Sequence, residues 1–118
     1  MLFYGDFTTV MFKIGAAILL VFILMFQALP AWAGEGAKLF TANCAACHAG
    51  GGNRVVAAKT LKQAALDKYG VNTVEAIAYQ IKKGKNAMPA FGKKLSDDQI
   101  TEIAQYVLEQ AANNWGKA

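Results

Sequence analysis

Histidine and cysteine are almost missing from this chain of 118 residues, which has one histidine, His48, and two cysteines, Cys44 and Cys47. That scarcity excludes a closed zinc site, which wants four N or S ligands. It also excludes a disulfide-built fold, because a bridge between Cys44 and Cys47 would close a tiny loop and stabilise little. Arginine is represented by Arg54 alone and proline by Pro30 and Pro89. Low complexity, collagen-like periodicity, heptads and internal repeats are absent, which removes fibrous, coiled-coil and solenoid architectures. Acidic residues are outnumbered eight to twelve by basic ones, for a net charge of +4. The length allows one domain once any targeting segment is set aside, and most of the chain is too apolar to be disordered.

The apolar excess, 55% of the residues, sits largely in one block, Ile14 to Phe26 (IGAAILLVFILMF). Thirteen residues fall short of the roughly 20 that a helix needs to span a hydrocarbon core. Lys13 precedes the block, Pro30 follows it, and Ala31-Trp32-Ala33 has the A-x-A form of a cleavage site. The pattern is that of a secretory signal peptide over 1–33, with Gly34 as the first mature residue. A retained anchor, extended through Gln27 to Trp32, is the alternative. Residues Met1 to Val10 hold the acidic Asp6 and no basic residue, unlike a leader, so Met11 is the expected start. Loss of Lys13 and Asp6 leaves the mature charge at +4. A mature domain over 34–118, about 85 residues, buries a modest core and calls for a staple such as a metal or cofactor.

The rest of the sequence predicts four helices and glycine-rich loops. The first runs from about Glu35 to Cys47, with Gly36, Phe40 and Cys44 on one face, and the second from Leu61 to Tyr69, stopped by Gly70. Asn72 opens the third, Thr73 to Lys83, which is expected to bury Val74, Ile77, Ala78 and Ile81 before Gly84 ends it. Ser96-Asp97-Asp98-Gln99 is a capping box, and Ile100, Ile103, Ala104, Val107, Leu108 and Ala111 follow it at helical period. No stretch sustains an alternation of period two, so the expected fold class is all-α.

Cys44-Ala45-Ala46-Cys47-His48 carries the chemistry. In an exported chain, C-x-x-C-H is the attachment motif of c-type haem. Each thiol adds across one haem vinyl group, and the adjacent imidazole can then reach the iron. A thioredoxin-type motif would need a βαβ context that the helical pattern does not offer. The second axial ligand follows from counting: Met1, Met11 and Met25 leave with the leader, so Met88 is the one methionine of the mature chain. Pro89 after it biases Met88 toward an extended loop. His/Met ligation fills both axial positions of the iron and raises its potential, which suits electron transfer. A haem peroxidase would need Met88 to leave and a distal His/Arg pair, for which His48 and Arg54 are the sole candidates.

With NCAACHAGGGN, then KNAMPAFGKKLSDDQI, then a YVLEQA helix and a late Trp, the chain resembles the class I cytochromes c. The likeness is closest to the cytochromes c6 of cyanobacteria and algal plastids, and it covers essentially Gly34 to Ala118. It implies a class I cytochrome c fold around one covalently attached haem c, with Cys44 and Cys47 as thioethers and His48 and Met88 as axial ligands. It also implies a soluble carrier of the thylakoid lumen, or the periplasm, taking electrons from the cytochrome b6f complex to photosystem I. A terminal respiratory oxidase is the alternative acceptor. By the same resemblance Gly36 and Phe40 pack against Tyr106, Gln80 lies close to the haem, and Lys59 lies near a propionate; by residue type alone Gln80 is a solvated helix residue and Lys59 a surface charge. Similar proteins often carry arginine where this chain has Lys94, which keeps the charge but loses the planar fork.

Lys82, Lys83, Lys85, Lys93 and Lys94 flank Met88 and predict steering toward an acidic face. Nucleic acid is not an expected partner, since the cluster has no groove-reading helix and no stacking aromatics. A fold closed around a haem should leave in the polypeptide an apolar cavity bordered by Cys44, Cys47, His48 and Met88, with unsatisfied polar atoms in its wall. The leader reading predicts a precursor that begins at Met11 and an exported form that begins at Gly34. N-terminal sequencing and intact mass check both, and a precursor containing Phe3 to Val10 contradicts the first.

Overall fold

The computed structural model describes residues 4–25 and 32–116. The chain separates into two units, Met1–Pro30 and Ala31–Ala118. The first holds helix α1, Tyr4–Met25. At 22 residues it is longer than the apolar run, because Tyr4 to Lys13 continue the helix. Asp6–Ile23 has a mean hydropathy of 1.9 and none of it is buried, so by length and composition α1 could cross a membrane, as signal sequences also could. Pro30 and Ala31 lie outside the described residues.

The second unit is helical: α2 (Trp32–Asn43), the single turn α3 (Ala45–His48), α4 (Gln63–Lys68), α5 (Val74–Lys83) and α6 (Asp97–Ala112), with 3-10 turns at Ala49–Gly51 and Asn114–Gly116. Among the described residues there is no strand, only an isolated bridge between Lys85 and Met88. The all-α expectation holds, and α2, α4, α5 and α6 are the four expected helices.

Three boundaries differ from the sequence reading. The first helix breaks at Cys44 (φ −120°, ψ −31°), so Cys47 and His48 sit on a separate turn that hydrogen bonds back to the Cys44 carbonyl. The second starts at Gln63, because Leu61 spends its N–H on the Gly51 carbonyl and its carbonyl on the Trp115 indole. The third is capped by Thr73, whose hydroxyl accepts from Ala76 N–H; the Asn72 amide turns back to donate to Asp67.

Other signals act as written. Gly70, at φ +66°, ends α4 in a Schellman turn, with Val71 N–H on Leu66 C=O and Gly70 N–H on Asp67 C=O. Ser96 and Gln99 close the capping box of α6. Ile100, Ile103, Ala104, Val107 and Ala111 are buried on α6, and Ile77 and Ile81 on α5; Val74, Ala78 and Leu108 pack at the edge of this core rather than inside it. No described polar or charged residue is buried.

The α2–α6 crossing brings backbone against backbone. A Cβ on Gly36 would lie 2.5 Å from the Glu102 carbonyl oxygen and 3.0 Å from Tyr106 Cβ. One turn on, Phe40 meets the Tyr106 ring at 5.3 Å and the Trp115 ring at 5.4 Å. Gly36→Ala should therefore spread the two helices and cost about 1–3 kcal/mol, the usual penalty of overpacking, read as a lower midpoint in denaturant unfolding of the haem-loaded protein.

Candidate functional site

A cavity of about 260 Å³, mostly apolar in its wall, collects the residues singled out in the sequence. Cys44, Cys47, His48 and Met88 all line it, and so do Gln80 and Lys59. Phe40 and Leu66 supply apolar wall from α2 and α4, Ile77 and Ile81 from α5, and Ile103 and Val107 from α6.

On one side, α3 and the glycine turn that follows it present the first set. Both cysteines are free thiols, Cys44 half-buried and Cys47 exposed. Burial pushes the Cys44 thiol up to about 11, and the positive charge of Lys94 offsets only part of this. His48 Nδ1 lies 2.9 Å from the Gly52 carbonyl oxygen. A carbonyl can only accept, so this bond fixes the proton on Nδ1 and leaves the Nε2 lone pair available to a metal.

On the other side, the segment from Gly84 to Leu95 presents Met88 between α5 and α6. Lys85 and Met88 exchange two backbone hydrogen bonds of 3.0 Å, which turns the chain tightly around Asn86 in the left-handed region. Phe91 and Gly92 N–H then cap the carbonyls of Ile81 and Lys82 at the end of α5. The Lys82 ammonium meets Asp97 at 2.7 Å, tying the base of the loop to the start of α6. Gln80 reaches over from α5, its amide nitrogen 3.7 Å from Met88 Sδ. Sequence reasoning had placed Gln80 only by resemblance. The signal available was its position one turn before Gly84, on the face of Ile77 and Ile81.

The aromatic Tyr69 also faces the cavity, with the ammonium groups of Lys59 and Lys68 at 5.6 and 5.5 Å from its ring centre. Asn53 closes the loop that carries this rim, its carboxamide oxygen accepting from Val55 and Val56 N–H and its NH₂ donating to Lys59 C=O. The sequence reading missed Tyr69, Asn53 and Asn86.

One expectation fails. Among the described residues the buried side-chain polar atom without a partner is Glu102 Oε2 on α6, which is not in the cavity wall. The polar atoms expected to be orphaned there are paired within the chain, as His48 is with Gly52 and Gln80 with Met88. Two thiols, an imidazole with a free Nε2, and a thioether on an apolar wall form a donor set that fits a covalently attached haem.

The comparisons with known proteins agree with that geometry. Residues 31–107 match the family described as cytochrome C oxidase, cbb3-type, subunit III. The chain is 54% identical over 102 residues to cytochrome c6 of a Synechococcus species (strain PCC 6312), covering 84% of this chain and 91% of the relative. It is 60% identical over 81 residues to cytochrome c6 of Parathermosynechococcus lividus, covering 69% and 93%. The solved structure of cytochrome c6 from the diatom Phaeodactylum tricornutum superposes with a TM-score of 0.69 at 52% identity, covering 70% of this chain and 98% of that one.

Gly84 is the tightest point of the loop. At φ +68° and ψ 173° it occupies a region open essentially to glycine, and a Cβ there would lie 2.7 Å from the Met88 carbonyl oxygen. Gly84→Ala should displace the 88–90 backbone and lower stability by about 1–3 kcal/mol, visible as an earlier thermal transition.

Proposed function

Because the chain belongs to the cytochrome c6 family, we propose that it carries single electrons from the cytochrome b6f complex to photosystem I in the thylakoid lumen. It is an electron-transfer protein with one covalently attached haem c, not an enzyme. In the proposed arrangement Cys44 and Cys47 would form the two thioethers, and His48 and Met88 would be the axial ligands. The observation that carries this is the convergence of all four around one cavity, from segments forty residues apart in sequence. The haem supplies a one-electron Fe(III)/Fe(II) couple.

The protein's own groups act on that couple in opposite directions. His48, donating from Nδ1 to Gly52, becomes a stronger base at Nε2 and favours the oxidised state. Gln80, donating toward Met88 Sδ, draws density from the sulfur and favours the reduced one. Lys59 stands at the rim, where its charge would complement a propionate. Lys82 is engaged by Asp97, so the exposed Lys83, Lys85, Lys93 and Lys94 are the cations that steer an acidic partner toward the Met88 side. Export follows from α1 as a signal peptide, cleaved after Ala33 within the first turn of α2.

A second acceptor, a terminal respiratory oxidase, draws on the family model that the chain matches, which is named for an oxidase subunit. Flash-induced re-reduction of photosystem I by the purified haem-loaded protein separates the two. Fast, saturable re-reduction that slows as ionic strength rises is the expected result. A rate flat in salt would remove the lysine steering. A low-spin His/Met spectrum with no re-reduction would move the acceptor to the oxidase, and strong binding of carbon monoxide by the native reduced protein would overturn His/Met ligation.

A further inference from the structure

A strained turn follows α6. Asn114, Trp115 and Gly116 are three consecutive residues in the left-handed region, at φ +50°, +55° and +70°. A tryptophan there is a backbone outlier, and such conformations persist only where the surroundings over-determine them. An indole that merely filled core space could follow an ordinary helical exit from α6. This one is reversed so that its N–H and its face both reach the loop that follows the haem motif.

Two contacts define what it holds. Nε1–H donates to the Leu61 carbonyl at 3.0 Å. The ring lies on Gly51, so closely that a Cβ on Gly51 would clash with the indole, and Gly51 is itself left-handed at φ +76°. The same two residues are joined to each other, Leu61 N–H donating to Gly51 C=O at 2.8 Å. Gly51 is thus pinned through its carbonyl and under its Cα, and the next residue is Gly52, whose carbonyl accepts from His48 Nδ1. The ring also packs against Phe40 at 5.4 Å and, edge-on, against Tyr106 at 6.1 Å.

We infer that Trp115 is a positioning residue for His48: by fixing the Gly51–Gly52 backbone it sets the orientation and basicity of the imidazole, and through them the redox balance of the bound haem. The inference rests on the reading of His48 as an axial ligand. Its sign follows from the donor. A loosened Gly52 carbonyl weakens the Nδ1–H bond, makes Nε2 a poorer base, and shifts the couple toward the reduced state.

The test uses the haem-loaded protein and two variants. Trp115→Phe keeps an aromatic ring on Gly51 and removes the N–H; Gly51→Ala leaves the N–H and forces the ring away. Each is expected to raise the reduced-to-oxidised ratio at a fixed mediator potential by about threefold, the scale of one weakened hydrogen bond. Each should also move the paramagnetically shifted haem-methyl resonances of the oxidised protein, which report the imidazole plane. Ile100→Val, a buried α6 change outside the cavity wall, is the stability control and should lower the unfolding midpoint without moving either readout. If Trp115→Phe does not load haem, Gly51→Ala decides. Unchanged potential and unchanged methyl shifts in the variants, whatever their stability, overturn the inference. A wild-type spectrum without the low-spin His/Met signature overturns it together with the ligand assignment, and so marks that failure apart from the first.

Discussion

The close approach of α2 and α6 at Gly36 is the constraint on which the site depends. Gly36, Phe40 and Cys44 occupy one face of the chain at four-residue intervals, and each turn has a different task. The first lets backbone meet backbone, against the Glu102 carbonyl. The second sets a ring against both Tyr106 and Trp115. The third delivers a thiol to the cavity. Were the helices held farther apart, the aromatic layer would lose contact and the cavity wall that α6 contributes through Ile103 and Val107 would retreat from α3.

The two proposed ligands are held by different devices, neither of which is a long helix. His48 depends on a carbonyl in a glycine turn, where left-handed Gly50 and Gly51 swing the chain so that Gly52 faces the imidazole. Met88 depends on a loop that folds back to satisfy the last carbonyls of α5, with Gly84 allowing the reversal and the Lys82–Asp97 pair bracing the base. That ion pair is exposed and contributes little stability by itself. It also withdraws one cation from the lysines proposed to steer a partner. Loops without regular structure can carry a precise site here because both ends of each are anchored in hydrogen bonds to helices or to the aromatic layer.

The sequence made the helices and the four cavity residues legible, because their signals are local. A capping box, a Schellman glycine and a C-x-x-C-H motif can each be recognised within a few residues. What stayed hidden is decided by competition or by distance. Asn72 and Thr73 are both good caps, and the choice turned on Asn72 being drawn to Asp67, which sequence adjacency does not reveal. The late start of α4 depends on Trp115, 54 residues from Leu61. Expected orphan polar atoms in the cavity were absent for a similar reason: Gly52 and Met88 are partners that only the fold brings to His48 and Gln80.

A one-electron carrier works best when little rearranges as the charge at its centre changes. The described residues suit that demand. None of the polar or charged residues is buried as a whole, the buried and unpartnered Glu102 Oε2 lies outside the cavity wall, and the dipoles nearest the proposed ligands are already committed in one direction each. Such preorganised dipoles cost no reorganisation at the moment of transfer. The lysines proposed to steer a partner, Lys83, Lys85, Lys93 and Lys94, are all exposed to water. The division follows from the size of the domain: a small core bears few unpaired polar groups, and beside the proposed ligands the pairing is made within the chain, His48 Nδ1–H donating to the Gly52 carbonyl and the Gln80 amide donating toward Met88 Sδ, so that both contacts are fixed as well as satisfied.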